Sequence, residues 1–368
     1  MIVMTVNSGS TSVKLAAYEA LGVSRPIRIA HGQFAGVVPS VHDALKAFLK
    51  SLPRKPEVVA HRVVHGGTRF TGPARLEASV LAEIRKLSEL APLHNPKALQ
   101  WIEASQALCG PDVTQLAAFD TAFFAAMPRV AGEYALAARF GVAEGVRRYG
   151  FHGLAHEAMW RSWQESSQLP DGGRLITLQL GGGCSIAAIA AGRPLDTSMG
   201  FSPLEGLVME TRSGDIDAAI VPYLQRRLAK SSEEIVELLN TEAGLAGLSG
   251  TDGDITALLL DGAKQSRFAV DLYCYRARKY LGAYLAILGG CDGIVFGGGV
   301  GEHIPDVRAQ ILSGMQWAGI ELDPRANEAA RGVAARISAP ESRIAIHVIP
   351  VDEEQILISA AQAIISAI

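Results

Sequence analysis

Hydrophobic residues in this chain come in short runs that are separated by turns rich in glycine and serine. The clearest case is residues 176–190, where an apolar run, three consecutive glycines and a second apolar run predict a β-hairpin. Residues 2–18 follow the same plan, with serine, glycine and threonine in the turn. Glycine lets a backbone turn sharply and approach another group closely. The repeated plan predicts two related halves, each with one hairpin.

The remainder of the chain alternates strand-like and helical patterns, which is typical of an α/β protein. Buried strands are predicted at residues 58–67, 113–121, 293–302 and 344–351. Helices are predicted at residues 41–50, 79–89, 218–240 and 268–288, and after residue 354. Residues 244–254 are rich in glycine, serine and aspartate, and this composition predicts a loop.

Length and composition favour a soluble protein of two domains. The chain has 368 residues, is 49% hydrophobic and 19% charged, and carries a formal net charge of −3. This charge argues against nucleic-acid binding through bulk positive charge. No apolar run approaches the ~20 residues of a membrane helix, and no charged segment precedes the apolar start as in a signal peptide. The four cysteines are scattered, so we expect reduced thiols and a cytoplasmic protein.

Charged side chains stand at predicted strand ends and glycine turns, where ligands bind in α/β sheets. Arg62 interrupts an apolar run, Asp120 ends a strand, and Glu353 follows the last strand. His152 and Arg212 lie beside glycines. Phosphoryl transfer needs such a set, because cations bind the phosphoryl oxygens, carboxylates hold Mg²⁺ and backbone amides of turns bind the phosphate chain. The residues therefore indicate phosphoryl transfer.

Other interpretations of these motifs stay open at this point. The glycine turns match neither a Walker A sequence nor the dinucleotide fingerprint. Residues 65–67 (His-Gly-Gly) resemble part of an oxyanion loop, although the chain lacks a G-x-S-x-G motif. His152 and His156 are spaced like zinc ligands, but Gly153 stands where the metalloprotease pattern has glutamate. Arg62 and Asp120 could also have purely structural roles. Arg62 would then form an ion pair across the fold, and Asp120 would cap the turn that follows it.

Motifs along nearly the whole chain resemble those of the acetate kinases, a family of short-chain carboxylate kinases. They lie at residues 7–12 (Asn-Ser-Gly-Ser-Thr-Ser), 61–67 (His-Arg-Val-Val-His-Gly-Gly), 93–96, 119–123, 148–153, 203–206, 211–217 and 299–302 (Gly-Val-Gly-Glu). The resemblance implies two α/β domains of the ribonuclease H-like, actin-like ATPase type that face each other across a cleft. One would span residues 1–121 plus 354–368, and the other 122–353. The resemblance also implies a homodimer and a reversible, Mg²⁺-dependent phosphoryl transfer between ATP and acetate that gives acetyl phosphate and ADP.

Residue by residue, the resemblance implies four sets of functional residues. The catalytic set is Arg62, Asp120, His152 and Arg212. The set that binds the carboxylate substrate is Arg62, Val64, Leu93, His94, Phe151, Pro203 and Arg212. The nucleotide-binding set is Ser10, Ser12, Lys14, Gln179, Leu180, Gly181, Gly182, Gly183, Asp254, Ile255, Thr256, Gly299, Val300, Gly301, Glu302 and His303. The set around Mg²⁺ or Mn²⁺ is Asn7, Asp120 and Glu353.

The chain departs from the family pattern mainly among the nucleotide-binding residues. Gln179 and Gly182 stand where the family has histidine and asparagine, and Thr256 replaces an arginine. Glu210 replaces a glycine, and His303 replaces an asparagine. These changes leave open whether the donor is ATP, another nucleoside triphosphate or pyrophosphate. The apolar pocket does not separate acetate from propionate or butyrate. A nucleotide-driven clamp of the same fold is a further alternative, against which the intact catalytic set argues.

Overall fold

A computed structural model describes residues 1–9, 12–20, 26–36, 38, 40–141 and 145–366 of the chain. By contacts between residues, the chain divides into two compact units. The first comprises Met1–Ala125, Phe151–Leu154 and Asp352–Ile368. The second comprises Ala126–Gly150 and Ala155–Val351. The division thus assigns His152 and Glu353 to the first unit, whereas the expected domain limits assigned both residues to the second domain. Those limits, near residues 121 and 353, stay a prediction.

The first unit is built on a mixed sheet of six strands. These are β1 (Ile2–Ser8), β2 (Ser12–Glu19), β3 (Ile27–Ala35), β4 (Val58–Val63), β5 (Ala74–Arg75) and β6 (Thr114–Phe119). Their order is β3-β2-β1-β4-β6-β5. β1, β4 and β6 are parallel to one another, and β1 and β2 form the predicted hairpin. Every residue of β1 and β4 is buried, as is typical of parallel strands covered on both faces.

The second unit contains a sheet of the same design. Its strands are β7 (Arg174–Leu180), β8 (Cys184–Ala190), β9 (Arg193–Thr197), β10 (Gly293–Gly297), β11 (Ala335–Arg336) and β12 (Ala345–Val348). Their order is β11-β12-β10-β7-β8-β9. Read from its other edge, this order repeats the first sheet strand for strand, with parallel pairing of β7, β10 and β12 and a hairpin of β7 and β8. The duplicated α/β architecture predicted from the two hairpins is therefore confirmed.

Fourteen α-helices connect and cover these strands in the described part of the chain. They are α1 (Val41–Ser51), α2 (Ala78–Lys86), α3 (Asn95–Cys109), α4 (Arg129–Gly132), α5 (Gly153–Ser167), α6 (Ile220–Leu228), α7 (Ser232–Thr241), α8 (Gly244–Ser249), α9 (Ile255–Asp261), α10 (Lys264–Leu288), α11 (Gly298–His303), α12 (Pro305–Leu312), α13 (Pro324–Ala329) and α14 (Glu353–Ser366). α3 and α14 pack on the first sheet, and α10 packs on the second. None of the helices in the described ranges combines the length and apolarity that a membrane crossing requires.

Two predictions for the second half need correction in detail. The helix predicted at residues 218–240 is two helices, α6 and α7, because Ala229 adopts a left-handed φ of 52° and Ser231 and Glu234 then form a capping box for α7. The loop predicted at residues 244–254 was wrong for residues 244–249, which form α8. The amides of Leu245 and Ala246 donate to the carbonyl oxygens of residues 209 and 210, each at a distance of 2.9 Å. These tertiary hydrogen bonds support a helix start that turn-rich composition does not predict.

His156 is a fully buried histidine in the second unit. Its Nδ1 lies 2.7 Å from Thr177 Oγ1, and its Nε2 lies 2.8 Å from Ser185 Oγ. Burial lowers the pKa of His156 to about 3. An unfolded histidine has a pKa of about 6.5, so the unfolded state binds a proton that the folded state rejects between these two values. The contribution of neutral, buried His156 to the free energy of unfolding is therefore complete above pH 6.5, and it falls as the pH drops from 6.5 towards 3.

We expect His156→Gln to flatten the acid side of the stability profile. The wild-type free energy of unfolding should fall between pH 6.5 and 4.5, with His156 contributing up to about 1.4 kcal/mol per pH unit. Urea titrations at pH 7.5, 6.5, 5.5 and 4.5 measure this slope. His42→Gln is the matched control, because the His42 side chain is 53% exposed. Equal slopes for wild type and His156→Gln would contradict the prediction.

Candidate active site

Three polar residues lie at one edge of the first sheet because their strands are parallel. Asn7 is near the end of β1, Arg62 is near the end of β4, and Asp120 directly follows β6. Parallel strands present their carboxyl ends at the same edge of a sheet. Glu353 begins α14, which packs on β1, β4 and β6, and so joins the same group. The pairing of the strands thus gathers residues that are distant in the sequence.

The guanidinium of Arg62 is the centre of this group. It binds Asp120 in a bidentate manner, with Nη2–Oδ2 at 2.7 Å and Nε–Oδ1 at 3.1 Å. Its Nη1 lies 3.2 Å from Asn7 Oδ1 and 3.6 Å from Glu353 Oε2. Asn7 Nδ2 donates to Glu353 Oε2 at 2.6 Å. Asp120 is fully buried and Arg62 is 9% exposed, so this is an ion pair of the interior.

The charges of the group do not balance, because two carboxylates share one guanidinium. Burial lowers the pKa of Arg62, but Asp120 and Glu353 raise it by more, so the guanidinium stays charged. Burial raises the pKa of Asp120, Arg62 lowers it, Glu353 raises it, and the net direction is upward. A bound cation would relieve this excess of negative charge. Two carboxylates and the amide oxygen of Asn7 are the hard oxygen donors that Mg²⁺ prefers, so the donor set fits that ion.

The main chain at residues 152–153 runs directly over Asp120. The backbone amide of His152 donates a hydrogen bond to the Asp120 carboxylate. A Cβ atom at Gly153 would lie 1.9 Å from the carbonyl oxygen of Asp120, so only glycine fits there. His152 itself has a left-handed φ of 56°, which is uncommon for a residue other than glycine. The close approach therefore holds the predicted catalytic histidine beside Asp120 in a strained conformation.

The residues predicted to bind the acyl group differ in their surroundings. Val64 and Phe151 are buried, with exposed fractions of 5% and 1%, whereas Leu93 is 61% exposed. His94 precedes the first residue of α3. Asn95 then anchors this helix to the strand-end turn by two hydrogen bonds of 3.1 Å with the backbone of His65. The start of α3 is thus held against the turn that follows β4 by a buried side chain that bonds to the backbone of that turn.

Arg212 and Pro203 lie in the second unit and contact each other. Nη1 of Arg212 donates to the carbonyl oxygen of Pro203 at 3.1 Å. Burial lowers the pKa of Arg212. No carboxylate within the described residues forms an ion pair with this guanidinium, in contrast to Arg62. A largely buried cation without a carboxylate partner is suited to an anionic ligand.

A cavity of about 260 Å³ in the second unit gathers many of the predicted nucleotide-binding residues. Those that line it are Gly181, Gly182, Asp254, Ile255, Thr256, Gly299, Val300 and His303. The cavity is also lined by residues that were not predicted to bind nucleotide, namely Glu210, Leu245, Gly253, Tyr273 and Ile304. The apolar members of both sets give it walls that suit a planar base, and the glycines leave backbone exposed.

The other predicted nucleotide-binding residues lie outside that lining. Glu302 Oε1 accepts from the amides of Gly298 and Val351, at 2.9 and 3.0 Å, and so holds the second glycine turn in place. Gln179 Oε1 is buried without a hydrogen-bond partner among the described residues. The rest of the second-unit set is Leu180, Gly183 and Gly301. Ser12 and Lys14 belong to β2 of the first unit, and Ser10 lies outside the described residues.

The decisive comparison is with protein families. A family model described as the Acetokinase family matches residues 24–359. This chain belongs to that family. It is 44% identical to the acetate kinase of Solibacter usitatus, over 81% of this chain and 73% of that protein.

Solved structures of relatives in the acetokinase family match the fold. The crystal structure of Porphyromonas gingivalis acetate kinase aligns with a TM-score of 0.90 and 34% identity, over 99% of both chains. A propionate kinase from Francisella tularensis aligns with a TM-score of 0.86 and 31% identity, over 98% of both chains. The actin-like ATPase fold expected from the sequence is therefore confirmed. Membership in the family also makes the chain a phosphotransferase with a carboxyl group as acceptor.

The zinc interpretation of the two histidines is wrong. Both ring nitrogens of His156 lie within hydrogen-bond distance of hydroxyl groups, so neither is available to a metal. Within the described ranges, no three His, Cys, Asp or Glu side chains form a cluster that would hold a metal ion. The polar group around Arg62 contains two carboxylates and the amide of Asn7.

We expect Arg62→Met to destabilise this acetokinase by about 3–5 kcal/mol, since the change leaves Asp120 buried without its counter-charge. Urea titration measures the free energy of unfolding. Adding Asp120→Asn to Arg62→Met should recover a large part of the loss, because the second change removes the uncompensated charge. Arg85→Met is the control, since the Arg85–Glu103 ion pair is exposed and should contribute at most about 1 kcal/mol. Equal losses for Arg62→Met and Arg85→Met would contradict this assignment.

Proposed function

We propose that this protein is an acetate kinase, which transfers the γ-phosphoryl group of ATP to acetate reversibly and with Mg²⁺. The observation that carries the proposal is the buried Arg62 guanidinium, held by Asp120, Asn7 and Glu353 at the carboxyl ends of parallel strands. A fixed guanidinium beside two carboxylates that a bound Mg²⁺ would neutralise suits phosphoryl transfer to a small anion. Membership in the acetokinase family supports the same reaction.

In the proposed reaction, a carboxylate oxygen of acetate attacks the γ-phosphorus, and the bond from phosphorus to the oxygen of ADP breaks. The carboxylate has no proton to lose, so the forward step needs no general base. The obstacle is repulsion between the carboxylate and the phosphoryl oxygens. Arg62 and Arg212 bind these anions and offset the repulsion, and His152 donates a hydrogen bond to the phosphoryl group in the transition state.

Asp120, Glu353 and Asn7 are the residues that we propose to hold Mg²⁺, directly or through water. When bound, the ion neutralises charge on the phosphate chain of the nucleotide. Asp120 also orients Arg62 through its bidentate contact, which fixes the plane of the guanidinium. This pairing argues for a role of Asp120 in positioning rather than in proton transfer.

The residues predicted to bind the acyl group support acetate as the acceptor. The cavity of about 260 Å³ in the second unit, which we call the donor cavity, supports ATP as the phosphoryl donor. Val64 and Phe151 are buried apolar residues of the first unit that would contact a methyl group, and Leu93 belongs to the same unit. One methylene changes binding in such a pocket by only ~1–3 kcal/mol, so propionate and butyrate are the alternative acids. Leu245, Ile255, Val300 and Ile304 give the donor cavity apolar walls, which favour a nucleotide over pyrophosphate.

We expect acyl phosphate to form fastest with ATP and acetate. A hydroxamate assay of acetate, propionate and butyrate against ATP, GTP and pyrophosphate, with Mg²⁺, measures kcat/KM for each pair.

In the same assay, the Arg212→Ala variant should lose about 10³-fold or more in kcat/KM, because the change removes a cation that stabilises the transition state. Arg325→Ala, at an exposed position of α13, is the control and should keep wild-type activity. Absence of acyl phosphate with every pair would refute the proposal.

We also propose that two copies of the chain associate through α6. The resemblance to acetate kinases implies a homodimer, and α6 has no buried residue although it is amphipathic. Ile220, Tyr223 and Leu228 on this helix are 38%, 57% and 45% exposed. Exposed apolar side chains that lie close together mark protein interfaces.

The described cysteines are free and buried, which supports the cytoplasmic location that we expect.

Tyr223→Glu should convert the dimer to a monomer, because it places a charge within the apolar contact. Size-exclusion chromatography with light scattering gives the mass of each species. Val130→Glu is the control, since Val130 is 93% exposed on α4, away from α6 in the sequence. The interface would be refuted by a wild-type protein that is monomeric, or by a Tyr223→Glu variant that stays dimeric.

A further inference from the structure

Glu210 places a carboxylate in the donor cavity directly over Gly182. A Cβ atom at residue 182 would lie 2.6 Å from Glu210 Oε2, so a side chain at 182 and the carboxylate of Glu210 cannot occupy their positions together. The amide of Glu210 donates to the carbonyl oxygen of Gly182 at 3.1 Å, which fixes the two segments against each other. The side chain that enters the cavity at this point therefore comes from residue 210.

The backbone contacts of Glu210 locate it between two parts of the cavity. On one side lies the glycine turn of the β7–β8 hairpin, through Gly182. On the other side, the carbonyl oxygen of Glu210 accepts from the amide of Ala246 at 2.9 Å, and a Cβ atom at Gly253 would lie 2.8 Å from that oxygen. Gly253 immediately precedes the Asp254–Thr256 segment, which lines the same cavity. Glu210 thus stands between the glycine turn of the β7–β8 hairpin and the Asp254–Thr256 segment, both of which line the cavity.

The chemistry of a carboxylate limits what can bind there. An ionised carboxylate accepts hydrogen bonds and cannot donate them. None of the described side chains or amides donates a hydrogen bond to this carboxylate. Partial burial raises the pKa of Glu210, and Asp254 and Asp252 raise it further. A phosphate placed against it would meet repulsion, whereas hydroxyl groups would supply the missing donors. A nucleotide carries two hydroxyls on its ribose, between the phosphates and the base.

We propose that Glu210 is a specificity-determining residue that accepts hydrogen bonds from the ribose hydroxyls of the donor nucleotide. This inference rests on the proposed function, because it treats the cavity as the donor site. It identifies the donor class as a ribonucleotide, since neither inorganic pyrophosphate nor a dideoxynucleotide can satisfy the carboxylate.

The test compares ADP with 2′,3′-dideoxy-ADP by isothermal titration calorimetry, and ATP with 2′,3′-dideoxy-ATP by kcat/KM for acetyl phosphate formation. In wild type, removal of both hydroxyls should weaken binding and kcat/KM about tenfold or more, as expected for a lost hydrogen bond to a charged group. In Glu210→Ala the two nucleotides should differ by less than about twofold, since the acceptor is gone. We call the value for the ribonucleotide divided by the value for its dideoxy analogue the hydroxyl ratio. In Glu210→Gln, which keeps a neutral acceptor, this ratio should lie between those of wild type and Glu210→Ala.

Gly182→Asn provides an independent variant that leaves Glu210 in the sequence. The new side chain occupies the position of the carboxylate and displaces it, so the ratio between the two nucleotides should fall as in Glu210→Ala. Asp252→Asn is the matched control, because Asp252 is an exposed acid near Glu210 that does not line the cavity. Its ratio should equal that of wild type.

The inference is overturned by a wild-type ratio near one, by a ratio that persists in Glu210→Ala, or by an equal loss in Asp252→Asn, which would indicate a general charge effect. It is also overturned if ADP does not bind. Binding that depends on the hydroxyls and on Glu210, without acetyl phosphate formation, would refute the proposed reaction and leave the ribose contact standing. The calorimetric and kinetic measurements therefore separate the two claims.

Discussion

Parallel pairing of β1, β4 and β6 is the constraint on which the buried charged group around Arg62 depends. It fixes the end of each strand at one sheet edge, and so brings Asn7, Arg62 and Asp120 together from separate parts of the chain. Burial then strengthens the ion pair between the two charged residues, but it also makes each charge dependent on the other. A site built this way is rigid because the polar contacts cannot be exchanged for water.

The sequence predicted those features that depend on local patterns. Glycine turns between apolar runs predicted both hairpins, and Asp120 at a strand end and Arg62 within an apolar run were singled out as site candidates. Their direct contact came only from the structure. The prediction did not extend to α8, whose start is supported by carbonyls of residues 209 and 210. It also treated Glu210 only as a departure from the family. The contact of Glu210 with Gly182 joins segments far apart in the chain, so no local pattern contains it.

The two sheets show how one design supports different surroundings. Both have the same strand order, with parallel strands beside a hairpin. In the first unit, carboxylates and a guanidinium stand at the strand ends and neutralise each other in part. In the second unit, the strand β10 continues instead into the glycines of α11, and a cavity lies there. The two sheets thus share one backbone plan, while the residues at their strand ends differ.

Glu353 follows the whole second unit in the chain, although it belongs to the first. During synthesis, the ribosome therefore completes the second sheet before it adds α14, which covers β1, β4 and β6. Until then, the first unit lacks both a packing helix and one of the two carboxylates around Arg62. The charged centre is consequently complete only after translation of α14, although Asn7, Arg62 and Asp120 belong to strands and strand ends that are made much earlier.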